Sequence, residues 1–254
     1  MLKSAVKIGL YIGKRFRWIT YSYLIVVFIV SFSSPYFLME SLVASSVQTF
    51  SPLSPPYHNY AVIQYFSMAG FLFALMVLVS AISMANDLRS SALFHLSQPM
   101  SRTDVAISWM ILTSWAPSVL CVLSIVIPLM CYLPHLPSGI LRNFLLLLSQ
   151  MLVISSIVLM ASATRRSWLV LAVCLLLMFF LPFLLATAIS IFAPTRYVSD
   201  AASIAMAVLY PLMASTTPYN TTLSPTAGAQ AAVVLAAVIQ GLYLAYFKFR
   251  FEVI

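Results

Sequence analysis

Apolar runs of about twenty residues, separated by short polar breaks, fill most of this chain. A helix needs roughly 20 apolar residues to cross the hydrocarbon core of a bilayer. The runs at 18–39, 60–85, 104–133, 141–163, 168–192 and 230–247 therefore predict six spans. Turn-forming residues punctuate the breaks: Ser51-Pro-Leu-Ser-Pro-Pro before the second run, Pro134, Pro137 and Gly139 before the fourth, and Thr164-Arg-Arg-Ser before the fifth. Pro35 and the polar Glu40 mark the end of the first run and the start of a loop. Pro117 and Pro128 in the third run and Pro182 in the fifth predict kinks, because proline removes a helical donor and crowds the preceding turn.

Two stretches follow a different pattern. In residues 1–17, Val6, Leu10, Ile12 and Phe16 can share one side of a helix while Lys3, Lys7, Lys14 and Arg15 share the other. That suits a helix lying in the membrane interface; a basic tail that only anchors the first span is the alternative. Segment 193–229 is expected to be external, its 199–215 piece being too short and too interrupted at Pro211 to span. Within it, 199–215, broken at Pro211, predicts a mildly amphipathic helix on the outer surface or dipping partly into the membrane.

Composition agrees with the pattern. Of 254 residues, 63% are hydrophobic and 7% charged, against about 45–50% and about 25% in soluble domains. The fold class is thus all-α: one polytopic membrane domain over 1–254, with little length left for a soluble nucleotide-binding domain. The formal charge of +8 does not point to nucleic acid, because the basic residues are dispersed between apolar runs rather than pooled on one face. They set orientation instead. With the N-terminus inside, Lys3, Lys7, Lys14, Arg15, Arg17, Arg89, Arg102, Arg165, Arg166, Lys248 and Arg250 are cytoplasmic, and only Arg142 and Arg196 are external. This bias predicts an even number of spans, both termini cytoplasmic, and a multi-pass location in the plasma membrane. It also puts Asn220-Thr-Thr outside, where Asn220 could accept a glycan.

Several chemistries lack their residues. Ionisable groups within spans mark catalysis or ion coupling, and here the acids and bases lie at span ends or in loops. Gln64, Gln150 and Gln240, the larger polar residues in or near spans, suit hydrogen bonds between helices. His58, His95 and His135 are dispersed outside the apolar runs, and Cys121, Cys131 and Cys174 form no CxxC pair, so no metal or haem site is expected. No GxxxxGK[ST] loop occurs, so no nucleotide or other cofactor is expected on this chain by that route, and enzymatic activity is not expected of it.

The most polar interruption between two spans is Asp87-Leu-Arg-Ser-Ser-Ala-Leu-Phe-His-Leu-Ser-Gln-Pro-Met-Ser-Arg102. Leu88, Ala92, Leu93 and Leu96 recur at helical spacing and form a small apolar face flanked by Arg89 and His95, suited to a groove on a soluble partner. Pro99 ends that helix and Ser101 can cap the next, with Asp104 in its first turn. A plain interfacial turn between two spans is the alternative.

Three pieces together resemble the membrane subunits of type-2 ATP-binding-cassette exporters. They are Asp87 with Ser91-Ala-Leu93, Leu96 and Pro99-Met-Ser-Arg102; the link Ser162-Ala-Thr-Arg-Arg-Ser167; and the closing run Ala245-Tyr-Phe-Lys-Phe-Arg250. Asp87 stands where that family usually has Glu, and Ser91-Ala92 where it has a Gly-Thr step. The resemblance implies a permease that pairs with a second copy or a related chain. It also implies that Asp87, Leu88, Arg89, Ala92, Leu93, Leu96, Pro99 and Arg102 dock a cytosolic ATPase, which would hold ATP and Mg2+. A path without buried charge would suit an apolar, amphipathic or lipid-like cargo. A non-transporting subunit that anchors a larger membrane complex is the competing reading.

Overall fold

The computed structural model describes residues 17–47, 55–90, 101–132, 140–164, 167–192, 196–215 and 223–252, and among them every regular element is helical. We label these α1 (Arg17–Val47), α2 (Pro55–Ser90), α3 (Arg102–Met110), α4 (Ala116–Tyr132), α5 (Ile140–Ser162), α6 (Ser167–Leu175), α7 (Leu181–Ile191), α8 (Arg196–Leu209), α9 (Pro211–Ala214) and α10 (Pro225–Glu252). A π-turn, Ile111–Trp115, joins α3 to α4, and a second, Leu176–Phe180, joins α6 to α7. Five stretches are long and apolar enough to cross a membrane: Ala69–Asn86, Arg102–Ser124, Leu141–Ser162, Trp168–Ile191 and Pro225–Phe247. The chain is therefore a multi-pass membrane protein. The apolar part of α1, Arg17–Ser33, is shorter. The expected interfacial helix at 1–17 lies, Arg17 apart, outside the described residues.

Several boundaries move. α1 passes through Pro35 and beyond Glu40, where a loop was expected; inside a long apolar helix a proline bends the chain more readily than it ends it. α2 starts at Pro55, so the Pro-Pro pair opens a helix instead of breaking the chain, as suits residues without a donor in a first turn. α10 starts at Pro225 behind Ser224, whose Oγ accepts from the Ala227 N–H at 3.3 Å.

α5 is the hub. It packs against α2, α4, α6, α8, α9, α10 and the Ile111–Trp115 turn, and 72% of Leu141–Ser162 is buried. Serine lets the neighbours approach, since its side chain is small and its hydroxyl can bond back to its own helix. Ser162 donates to Leu159 O at 2.7 Å, Ser118 to Ser114 O at 2.7 Å and Ser83 to Val79 O at 3.0 Å. The most apolar span, Trp168–Ile191, is only 17% buried and offers Phe180, Phe183 and Leu184 to its surroundings. In water such a face would aggregate; in a bilayer it is solvated.

Contacts fix the helix directions. α2 and α5 run parallel, because Gly70 meets Leu147 and Met84 meets Ser162. α10 runs parallel to α5, with Thr226 beside Arg142 and Gln240 bonded to Ser156. α3 runs antiparallel to α10, with Ala106 bonded to Tyr243 and Ser114 to Gln240. One end of the bundle thus holds Arg102 and the end of α10, and the other holds Arg142 and the start of α10. Arg102 and Arg142 thus lie at opposite ends of the bundle.

Candidate functional site

The two π-turns obey one rule. Ala116 N–H bonds to Ile111 O, and Leu181 N–H bonds to Leu176 O, each spanning five residues in place of four. The next carbonyl in each turn, Leu112 O or Leu177 O, has lost that donor. Its five-residue partner would be Pro117 or Pro182, which have no N–H. One carbonyl five residues ahead of each proline is left orphaned in an apolar interior, where an unmet polar group is costly. A buried tyrosine fills each vacancy: Tyr23 Oη donates to Leu112 O, and Tyr210 Oη donates to Leu177 O. Ser80 Oγ supports the first from 2.9 Å. The prolines of the third and fifth runs were legible as kinks; their tyrosine partners, 89 and 33 residues distant, were not.

Tyr210 comes from a segment that enters the bundle. α8 packs along α7 and α10, burying Ala202, Ser203, Met206 and Ala207. Its 14 residues amount to roughly 21 Å, as does the return from Ile191 to Leu177. The chain thus re-enters alongside α7, reaches the π-turn, breaks at Tyr210, and continues as the buried α9 against α5, α10 and α2. Segment 199–215, expected on the outer surface or dipping partly in, packs against α5, α7 and α10. Non-helical backbone at membrane depth must be satisfied from within the protein, and it is. Tyr210 N–H bonds to Met206 O at 2.8 Å, Ala214 N–H bonds to Tyr210 O at 2.9 Å, and Pro211 has no donor to satisfy. Gly228 makes the fit close: a Cβ there would lie 2.3 Å from Ala207 O.

A polar cluster sits where the first π-turn meets α5 and α10. Gln240 Nε2 donates to Ser156 Oγ at 3.0 Å and Ser114 Oγ at 3.2 Å, while its Oε1 accepts from Trp115 Nε1 at 3.2 Å. Ser114 Oγ lies 2.7 Å from Ser155 Oγ. Gln240 thus makes the interhelical bonds expected of it. Gln150 is buried with its Oε1 unpartnered among the described residues, and the Gln64 side chain lies outside them. Below the cluster, Trp109, Met84, Tyr243 and Phe247 bind α3 to α10 and α2, with Tyr243 Oη donating to Ala106 O at 3.3 Å.

The docking segment is described at its two edges. Asp87, Leu88 and Arg89 lie on the last turns of α2, which continues past the apolar stretch ending at Asn86; their side chains lie outside the described residues. So do Ala92, Leu93, Leu96, Pro99 and, elsewhere, Asn220. Arg102 opens α3 and is half-buried. Ser101 caps that helix as expected, its Oγ accepting from the Asp104 N–H at 3.1 Å. Among the described residues, no group of His, Cys, Asp and Glu is placed to hold a metal ion. Cys121 and Cys174 are buried and unbridged. Comparison with protein-family models and with curated proteins finds no match.

Proposed function

We propose that the chain is the permease subunit of a type-2 ATP-binding-cassette exporter in the plasma membrane, with both termini cytoplasmic and α1 as its sixth span. Two copies, or one copy and a related chain, surround a path for an apolar, amphipathic or lipid-like substrate. A cytosolic ATPase bound to segment 87–104 supplies the energy, with ATP and Mg2+ held on that partner. The observation that carries this reading is the short, stiff connection from the segment to the middle of the bundle. α3 begins at the capped Arg102, beside the segment, and runs roughly 14 Å to the π-turn whose Ser114 and Trp115 grip Gln240. π-turns inside otherwise regular helices are frequent at functional sites. A push at Arg102 would therefore act on α10 and, through Tyr23, on α1.

The test is purification of the full chain in mild detergent with identification of what accompanies it. An ATPase of separate sequence is expected. It should be lost when Leu93 and Leu96 are both replaced by Asp, while the variant still inserts and elutes as the wild type does. ATPase retention and undiminished transport by that variant would reject the docking assignment. Co-purification of redox or secretion subunits in place of an ATPase would favour the anchoring reading.

A further inference from the structure

The parallel pair α5 and α10 leaves a groove open to the outside of the bundle. Its outer part, about 310 Å3, is lined by Arg142, Leu145, Thr226, Gln230 and Val233. Its deeper part, about 330 Å3, runs on past Leu152 and Ala236 to Trp115 and Gln240. Leu148 and Val233 line both, so the two parts are continuous. From Arg142 to Leu152 the groove follows α5 for roughly 15 Å, which is the hydrocarbon depth of about one leaflet.

The chemistry differs between its ends. At the deep end the polar atoms are occupied with one another, Gln240 being bound to Ser114, Ser156 and Trp115. What remains there is an apolar slot. At the outer end Arg142 is exposed, and among the described residues no ion pair engages it. No acid lines either part of the groove. A second copy packed against it would cover this guanidinium without supplying a counter-charge from the same face. A membrane lipid supplies both pieces, a chain for the slot and a phosphate that a guanidinium binds through paired N–H donors.

We propose that this groove holds one acyl chain of an anionic phospholipid drawn from the leaflet on the Arg142 side, with its phosphate on the Arg142 guanidinium. The site depends on the groove alone and stands apart from the transport reading. Native mass spectrometry of the purified full chain, titrated with phosphatidylglycerol or phosphatidylcholine of identical chains, tests it. The wild type should retain one phosphatidylglycerol in preference to phosphatidylcholine. Arg142→Gln should weaken phosphatidylglycerol binding about tenfold, the scale of one lost charge-assisted contact, and erase the preference. Val233→Trp should fill the slot and lose both lipids. In the wild type, phosphatidylglycerol with a photoactivatable group on its acyl chain should label the peptides containing Leu148 and Val233, a measurement independent of whether the variants fold. Equal binding by wild type and both variants, labelling confined to other helices, or cross-linking of two copies through Val233→Cys would each overturn the proposal.

Discussion

The hydroxyl of Tyr210 reaches the backbone carbonyl of Leu177, five residues ahead of Pro182, and so completes a helix that proline leaves one donor short. Tyr23 stands in the same relation to Leu112 and Pro117. Two prolines on different spans thus create the same defect, and two tyrosines from elsewhere in the chain repair it.

Tyr210→Phe keeps the ring and removes the donor, stranding Leu177 O. Thermal unfolding followed by tryptophan fluorescence should report a loss of about 1–2 kcal/mol. Pro182→Ala supplies a backbone N–H at the position from which a five-residue bond reaches Leu177 O. In the double variant the effect of Tyr210→Phe should shrink by at least about 0.5 kcal/mol, the coupling expected of residues sharing one partner. Strict additivity would disprove the repair. Tyr23→Phe with Pro117→Ala should behave alike.

Glycine substitutions separate the close contacts from the open ones. Gly228→Ala drives a methyl into the Ala207 carbonyl, a backbone atom that cannot swing aside. Overpacking of this kind costs about 1–3 kcal/mol, and the melting midpoint should fall accordingly. At Gly241 a Cβ meets nothing within 4 Å. Alanine there should be neutral or raise stability by up to about 1 kcal/mol through helix propensity.

Gln240→Leu deletes the junction of three helical segments and leaves Ser114, Ser156 and Trp115 without their shared partner. Interhelical bonds in membranes average about 0.6 kcal/mol with a maximum near 1.7, so a loss of about 1–2 kcal/mol is expected. The Trp115 indole should also shift its emission as its N–H partner disappears.

Sidedness follows from the helix directions. In a background without the native cysteines, Leu141→Cys and Thr226→Cys should react with a membrane-impermeant maleimide from one side, and Thr103→Cys from the other. Leu141 and Thr226 sit at the starts of the parallel α5 and α10, and Thr103 at the start of α3, whose direction is opposite. Labelling of Leu141→Cys and Thr226→Cys from opposite faces would contradict the bundle.

Hydropathy made most of the spans legible, because each is a long apolar run whose length the bilayer dictates. The cap at Ser101 and the break at Pro211 were legible too, since both are local chemistry. The close approach of Gly228 to Ala207 was not, because nothing near Gly228 in sequence signals a partner 21 residues earlier. The faces of the third and fifth runs were also hidden. Periodicity is read at 3.6 residues per turn, and a π-turn shifts the count between Ile111 and Trp115 and between Leu176 and Phe180. The groove escaped notice for a further reason: Arg142 read as a charge that sets orientation, and only the parallel register of α5 and α10 places it at the mouth of a slot.

Each π-turn accommodates one residue more than the α-helical path would need. Removing a residue from an ordinary helix turns everything beyond it by about 100° and scrambles its buried face. Within Leu176–Phe180 a deletion would instead absorb the surplus, leaving α6 and α7 aimed as they are. These two spans can thus lose a residue at the π-turn and keep their packing, a tolerance that α5 and α10, α-helical throughout, do not share.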